Sequence, residues 1–168
     1  MPTFGMLPFA IALGDVNHDG HLDLVAAGSP FTGSTGTLAT LLGNGNLGFT
    51  AAPVATGGTS LTGLGLADFN GDGFLDAATT SQTAPARQGV AIFRGNGASF
   101  AFSGAFAAGA SPNSPILGDF NGDQRADLVV PNFGSLSLSV FLGNGTGDSS
   151  PPRRSRCRSP RRKGAPAT

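Results

Sequence analysis

The stretch that decides the fold is an acidic nonapeptide that the chain carries three times. It reads DVNHDGHLD at residues 15–23, DFNGDGFLD at 68–76 and DFNGDQRAD at 119–127. The shared pattern is DxNxDGxxD, and Gln124 departs from it by taking the place of the glycine. All ten acidic residues of the chain are aspartates and nine lie in these segments, so the negative charge is concentrated in three short loops.

The spacing of the oxygen-bearing side chains indicates a calcium loop. Ca²⁺ takes about six to eight oxygen ligands, and side chains at positions 1, 3 and 5 of a tightly wound loop converge on one point. Position 7 then offers its backbone carbonyl, and position 9 offers another carboxylate. Position 6 usually needs a positive φ, which Gly20 and Gly73 adopt without steric cost. Because Gln124 adopts it only at a cost of roughly 1–2 kcal/mol, the third loop is expected to be the weakest site.

Two other interpretations of these loops compete with a calcium site. Asp, Asn and Gly are common turn residues, so a single copy could be an ordinary hydrogen-bonded turn, but three copies in register favour a metal. An EF-hand would need a bidentate Glu at position 12. That position is Ala26, Thr79 or Val130, and the chain contains no Glu. The loops therefore run into apolar, strand-forming residues instead of an exiting helix.

The acidic loop is part of a larger repeat. The first aspartates of successive copies are 53 and 51 residues apart, and a second marker, LGNG at 42–45 and 142–145 or RGNG at 94–97, recurs with them. An Asn-Gly pair after an alternating apolar stretch, such as the one at residues 135–140, predicts a hairpin. The sequence thus predicts an all-β fold of about three β-propeller-type blades, each of four antiparallel strands, as an incomplete or open propeller. The calcium loops would join the first and second strands.

The predicted repeats cover about residues 8–57, 58–109 and 110–150, and the last is expected to lack its final strand. Residues 151–168 form a basic tail rich in Pro, Arg and Ser, which is predicted to be disordered because it lacks apolar periodicity. Residues 1–150 carry ten Asp and three Arg, a net charge of −7, whereas the tail carries six Arg and one Lys, a net charge of +7. Nucleic-acid binding is not predicted for this chain, and the basic tail is the only segment whose charge would suit it.

The combination of DxNxDGxxD, a following apolar strand and an LGNG hairpin resembles the FG-GAP or VCBS-type repeat, which is also seen as the blades of integrin α-subunit propellers. This resemblance implies a calcium-stabilised propeller, secreted or on the cell surface, that acts in adhesion, in ligand recognition or as an accessory module. It implies about three Ca²⁺ ions. The ligands that it implies, including the backbone carbonyls at position 7, are Asp15, Asn17, Asp19, His21, Asp23, Asp68, Asn70, Asp72, Phe74, Asp76, Asp119, Asn121, Asp123, Arg125 and Asp127.

The sequence offers little for catalysis. Its two histidines, His18 and His21, lie inside the first loop, and no base accompanies the Ser and Thr residues. A non-enzymatic repeat module is therefore predicted, with an accessory or catalytic part of a calcium-dependent carbohydrate-active enzyme, or a lectin, as the alternative. Trp and Tyr, which favour sugar binding, are absent. Phe69, Phe74 and Phe120 are expected in the core between blades.

The partner and the location are predicted only in outline. The protein or carbohydrate ligand is left open, and association that completes the propeller is expected. No apolar run approaches the length of a membrane span, and residues 1–14 show no signal peptide. An extracellular or cell-surface location is expected because loops of this type suit millimolar external calcium.

Overall fold

The computed structural model describes residues 6–30, 35–81, 89–146 and 153–156. These residues form three antiparallel sheets, named here blades 1, 2 and 3. Blade 1 contains β1 (Met6–Gly14), β2 (Asp23–Pro30), β3 (Thr35–Gly43), β4 (Phe49–Ala51) and β5 (Ala55–Thr59). Blade 2 contains β6 (Leu61–Ala67), β7 (Asp76–Ser81), β8 (Gly89–Gly95) and β9 (Phe100–Ala107). Blade 3 contains β10 (Ile116–Gly118), β11 (Asp127–Asn132), β12 (Ser137–Phe141) and β13 (Arg153–Arg156).

Each blade is a meander in which consecutive strands pair, as the repeat predicts. The prediction of an all-β fold with propeller-like blades is confirmed, and each acidic loop joins the first strand of its blade to the second. In blade 1 the fourth strand is divided: β4 pairs with residues 41–43 of β3, and β5 pairs with residues 35–38. Pro53 lies between the two parts, and a proline cannot donate a ladder hydrogen bond.

The prediction that the third unit lacks its final strand is wrong. Residues 153–156 pair antiparallel with β12, from Ser137 opposite Arg156 to Val140 opposite Arg153. Ladder hydrogen bonds use only backbone groups, so a basic segment without apolar periodicity can still supply an edge strand. The predicted disorder of the tail is thereby corrected for these four residues. The rest of the predicted tail lies outside the described residues.

The apolar core lies between the blades. One cluster joins blades 1 and 2 and includes Val25, Leu38, Leu61 and Phe93, all at most 1% exposed. A second cluster joins blades 2 and 3 through residues such as Val90, Ile92, Leu128 and Phe141. Because each sheet buries a face against its neighbour, the blades stabilise one another as stacked repeats do.

The alternating segment at 135–140 forms a shorter strand than its pattern predicts. Phe133–Ser135 make one 3-10 turn, and Leu136, at φ 48°, leaves it in the left-handed region and is 76% exposed. The pairing of β12 with β11 then directs Ser139 and Phe141 into the core, whereas Leu138 and Val140 are only partly buried. In the described residues no helix has the length and apolarity to cross a membrane.

Candidate metal centre in the acidic loops

The three acidic loops occupy equivalent places in the three blades, and the first two loops contact one another. The ring of His18, at position 4 of the first loop, stacks on that of Phe74, at position 7 of the second, with centroids 4.9 Å apart and planes 17° from parallel. The Gly-Asn-Gly hairpins of blades 2 and 3 are also linked, because the Nη2 group of Arg94 donates to the carbonyl of Thr146 at 2.6 Å. The candidate centres are thus arranged along one edge of the blade array.

Positions 1, 3 and 5 form the outer part of each loop, and their side chains turn towards the loop's own amides. In the first loop, the N–H of Asp19 donates to both Asp15 Oδ1 and Asn17 Oδ1, each at 3.1 Å. The Asn17 amide donates to Asp19 Oδ2 at 2.9 Å. The side-chain oxygens of Asp15 and Asn17 therefore converge on the amide of Asp19, and the carboxylate of Asp19 lies next to them.

The other two loops repeat this arrangement. Asn70 and Asn121 donate to the position-5 carboxylates of Asp72 and Asp123, at 2.8 and 3.1 Å. The position-1 carboxylate accepts from the amide of position 6 in every loop, at 2.9 Å from Gly20, 2.9 Å from Gly73 and 2.8 Å from Gln124. The winding of the loop is thus the same whichever residue occupies position 6.

The position-9 aspartates have a different environment. Asp23, Asp76 and Asp127 are fully buried, and one carboxylate oxygen of each accepts the amide of position 2, at 2.9 to 3.0 Å. The other oxygen accepts the amide of the first glycine of the Gly-Asn-Gly hairpin, Gly43, Gly95 or Gly143, at 2.8 to 2.9 Å. We call this arrangement the aspartate clamp. It ties the acidic loop to a hairpin that follows 16 to 20 residues later.

The hairpin glycine of the clamp leaves no room for a side chain. A Cβ at Gly43, Gly95 or Gly143 would collide with the backbone carbonyl oxygen of loop position 8 in its own blade, which belongs to Leu22, Leu75 or Ala126. A backbone atom cannot swing aside as a flexible side chain can. The first glycine of the hairpin motif therefore permits a close approach of two backbones, a role that the hairpin signal alone did not predict.

The pKa of one inner carboxylate, that of Asp76, and the pKa values of two outer ones, those of Asp19 and Asp119, are shifted in opposite directions. Burial raises the pKa of Asp76, and the charges of Asp72 and Asp68 add to this, against the opposite effect of the amides of Gly95 and Phe69. Hydrogen bonds lower the pKa of Asp19, chiefly the one from the Asn17 side chain. The amide of Gln124 likewise lowers the pKa of Asp119. The carboxylates of Asp19 and Asp119 are thus held in the charged form that a cation requires.

The loops need positive φ at two positions, of which the sequence pattern predicts only one. Position 6 has φ of 85° at Gly20, 93° at Gly73 and 64° at Gln124, as expected. Position 4 is also positive, at 61° for His18 and 77° and 80° for the glycines of the other loops. The first loop is therefore strained at His18 as the third is at Gln124, and the second loop alone has glycine at both positions.

Replacing Gln124 with glycine is expected to stabilise the protein by about 0.5–1 kcal/mol, because the left-handed conformation costs a glycine nothing. At the equivalent glycines, Gly20 and Gly73, a Cβ would have no atom within 4 Å, so the gain comes from the backbone and not from packing. Urea unfolding in EDTA measures it. The matched control is Gln124→Ala, which keeps the strained φ, and equal stability of the two variants would contradict the prediction.

The position-7 side chains pack on the hairpin, as suits residues that would offer a cation only their carbonyls. A Cβ on the second glycine of the hairpin would touch His21 at Gly45, Phe74 at Gly97 and Arg125 at Gly145, at 2.7, 2.7 and 3.2 Å. Of the phenylalanines expected in the core, Phe69 is 8% exposed and buried there, whereas Phe120 is 51% exposed. The prediction for Phe120 is wrong because no blade of the described structure covers it.

The donor chemistry of the outer loop positions fits a hard cation such as Ca²⁺. Positions 1, 3 and 5 supply carboxylate and amide oxygens, without sulfur or imidazole donors. In the described ranges, however, three or more acidic, histidine or cysteine side chains do not come together in a geometry that could hold a metal ion. The reason lies in the clamp, which turns the third carboxylate of each loop towards two backbone amides. The ligand role of position 9 stays a prediction.

Residues 15–79 match the family model of the FG-GAP-like repeat. The matched segment begins at the first aspartate of the first loop and ends in β7, so it includes two acidic loops and the hairpin glycine between them. No curated protein matches the chain.

Proposed function

We propose, from the premise that this chain carries FG-GAP-type repeats, that it is a calcium-binding repeat segment of a secreted or cell-surface protein. FG-GAP repeats are typically non-catalytic modules, and the segment would work as a scaffold or as an adhesion and ligand-recognition module. About three Ca²⁺ ions would bind, one in each acidic loop. The observation that carries the proposal is the threefold recurrence of one hydrogen-bonded loop with oxygen donors at positions 1, 3 and 5.

The charge distribution supports the proposal. Residues 1–150 have a net charge of −7, nine of their ten aspartates lie in the loops, and three divalent ions would offset six of those negative charges. Asp19, Asp72 and Asp123 are exposed, so a cation can reach them from solvent. When bound, Ca²⁺ would replace the repulsion among the loop carboxylates with attraction. The backbone amides of positions 5 and 6 already hold the loop in its wound conformation, because they donate hydrogen bonds to side-chain oxygens of the same loop.

The proposed location follows from the affinity that such loops can reach. Each loop has only two outer carboxylates and an amide. A site with so few charged ligands binds calcium weakly, which suits the millimolar calcium outside cells better than the scarce cytosolic ion. FG-GAP repeats also occur commonly in extracellular and surface proteins. A protein or carbohydrate ligand fits this role equally well.

Calorimetric titration with Ca²⁺, combined with thermal melting, tests the proposal. We expect two to three sites. A cation that binds only the folded loops stabilises the protein by about 2.7 kcal/mol per site at a hundredfold excess over its dissociation constant. This corresponds to a rise in Tm of about 5–10 °C per site for a chain of this size. Asp72→Asn should remove the second site alone. The absence of both a heat of binding and a shift in Tm would overturn the calcium function.

The alternative predicted from the sequence is a calcium-dependent carbohydrate-active enzyme or lectin. In the described structure His18 stacks on Phe74 and His21 lies against the hairpin, so both histidine rings serve packing contacts. A polysaccharide degradation assay with and without Ca²⁺ separates the two functions. Reproducible calcium-dependent cleavage would replace the scaffold function with the enzymatic one.

A further inference from the structure

Blade 1 exposes the side chains that the other blades use to pack on a preceding blade. Leu64, Leu66 and Leu75 of blade 2 pack against the core shared with blade 1, and Leu66 and Leu75 lie over Gly14. The equivalent residues of blade 1, 53 positions earlier, form a surface that we call the leading face. They are Ile11, Leu13 and Leu22, with 58, 61 and 63% of their surface exposed. Three leucine-sized side chains thus protrude where the fold elsewhere buries them.

Blade 3 exposes the opposite half of the same kind of junction. Val90 and Ile92 of blade 2 are buried against blade 3, and the strand pairing places Leu138 and Val140 of blade 3 in the equivalent positions. Those two side chains are only partly buried. With Ile116, 56% exposed, and Phe120, 51% exposed, they form what we call the trailing face.

The two faces complement one another because the molecule builds the same junction twice. At each internal junction, the leading face of one blade covers the trailing face of the blade before it. We propose that the leading face of one copy of this chain docks on the trailing face of a second copy, and that the second copy does the same in return. Such head-to-tail contacts close into a ring of two chains. Its six blades lie within the range of about four to eight at which propellers close.

A second copy fits these faces better than another occupant. The residues named in both faces are all apolar, and the internal junctions show that a blade of this repeat is the shape that covers such residues. Residues 157–168 contain no leucine, isoleucine, valine or aromatic residue, so they cannot supply that apolar cover. Ile116 holds the position in blade 3 that Gly65 holds in blade 2, where the missing side chain makes room for Leu117. The docked blade therefore meets a bulkier surface here than at the internal junction.

Analytical ultracentrifugation of the full chain tests this inference, with 1 mM Ca²⁺ and separately with EDTA. We expect a concentration-dependent species of twice the 16.7 kDa chain mass, with micromolar or tighter affinity. Because the docking faces do not include the calcium ligands, its outcome is independent of the calcium titration. A chain that stays monomeric at about 100 µM in both buffers would overturn the inference and assign the faces to another partner.

Three single variants identify the faces. Leu13→Asp on the leading face and Ile116→Asp on the trailing face should each raise the dissociation constant of the dimer at least tenfold, since each buries a charge in both junctions of the ring. Phe133→Asp is the matched control, because Phe133 is 81% exposed and lies in the 3-10 turn outside both faces. Unchanged thermal melting of the monomers shows that all three variants fold.

A mixture of the two disruptive variants tests the head-to-tail geometry. One junction of a mixed ring contains both aspartates, and the other contains neither, so the mixture should associate more tightly than either variant alone. A symmetric contact between two leading faces predicts instead that Ile116→Asp dimerises like the unmodified chain. That result, or a mixture no tighter than the single variants, would overturn the proposed ring.

Discussion

Replacing Asp76 with alanine is expected to lower the free energy of unfolding by about 3–5 kcal/mol. The carboxylate is fully buried, and it accepts the amide of Phe69 at 3.0 Å and that of Gly95 at 2.9 Å. Alanine would leave both donors without this acceptor, and each hydrogen bond to a charged group contributes about 1.5–3 kcal/mol. Urea unfolding in EDTA measures the loss without any contribution from metal.

Asp72→Ala is the matched control for this clamp. Asp72 belongs to the same loop but is exposed, so its replacement should cost about 1 kcal/mol or less in EDTA. With Ca²⁺ the order of effects changes, because Asp72→Ala should lose the stabilisation that the second site provides, whereas Asp76→Ala is unstable in both buffers. Equal losses for the two variants in EDTA would contradict the distinction between the exposed outer carboxylates and the aspartate clamp.

Replacing Gly95 with alanine is expected to destabilise the protein by about 2–4 kcal/mol. The added methyl group would collide with the carbonyl oxygen of Leu75, and relief of the collision would pull the Gly95 amide away from Asp76. Chemical denaturation followed by circular dichroism measures the change. A double variant with Asp76→Ala should cost less than the sum of the two single variants, because both break the same clamp.

Gly104→Ala provides the control for the glycine prediction. A Cβ at Gly104, in β9, would have no atom within 4 Å. Alanine is a better strand residue than glycine by roughly 0.5–1 kcal/mol, so this variant should be as stable as the unmodified chain or slightly more stable. If Gly95→Ala were tolerated equally well, the close approach of the two backbones would not be what requires glycine in the hairpin motif.

Local patterns in the sequence predict much of this architecture. The acidic loops follow from residues within nine positions of one another, and their place between the first and second strands is confirmed in all three blades. The positive φ at Gln124 is likewise confirmed, because it depends on the winding of a single loop. The strain at His18 could have been predicted from the same alignment, since the other two copies have glycine at position 4.

Other features depend on segments that are distant in the chain. The wrong prediction for β13 shows this, because the pairing of Arg153–Arg156 depends on the free edge of β12 and not on apolar periodicity. Phe69 and Phe120 hold the same position in the repeat, yet one is 8% and the other 51% exposed, because within the described residues only the blade of Phe69 is followed by another blade. Burial is thus set by the neighbouring blade and not by the residue type.

Short, repeated patterns in the sequence specify the number of blades, the site of the acidic loops and the oxygen chemistry of their side chains. The different roles of the aspartates, by contrast, depend on the tertiary structure. It turned positions 1 and 5 towards solvent and their own loop, and it fixed position 9 to a hairpin glycine 16 to 20 residues away. Hydrogen bonds of that span form when strands pair, and the spacing of nine residues carries no information about them.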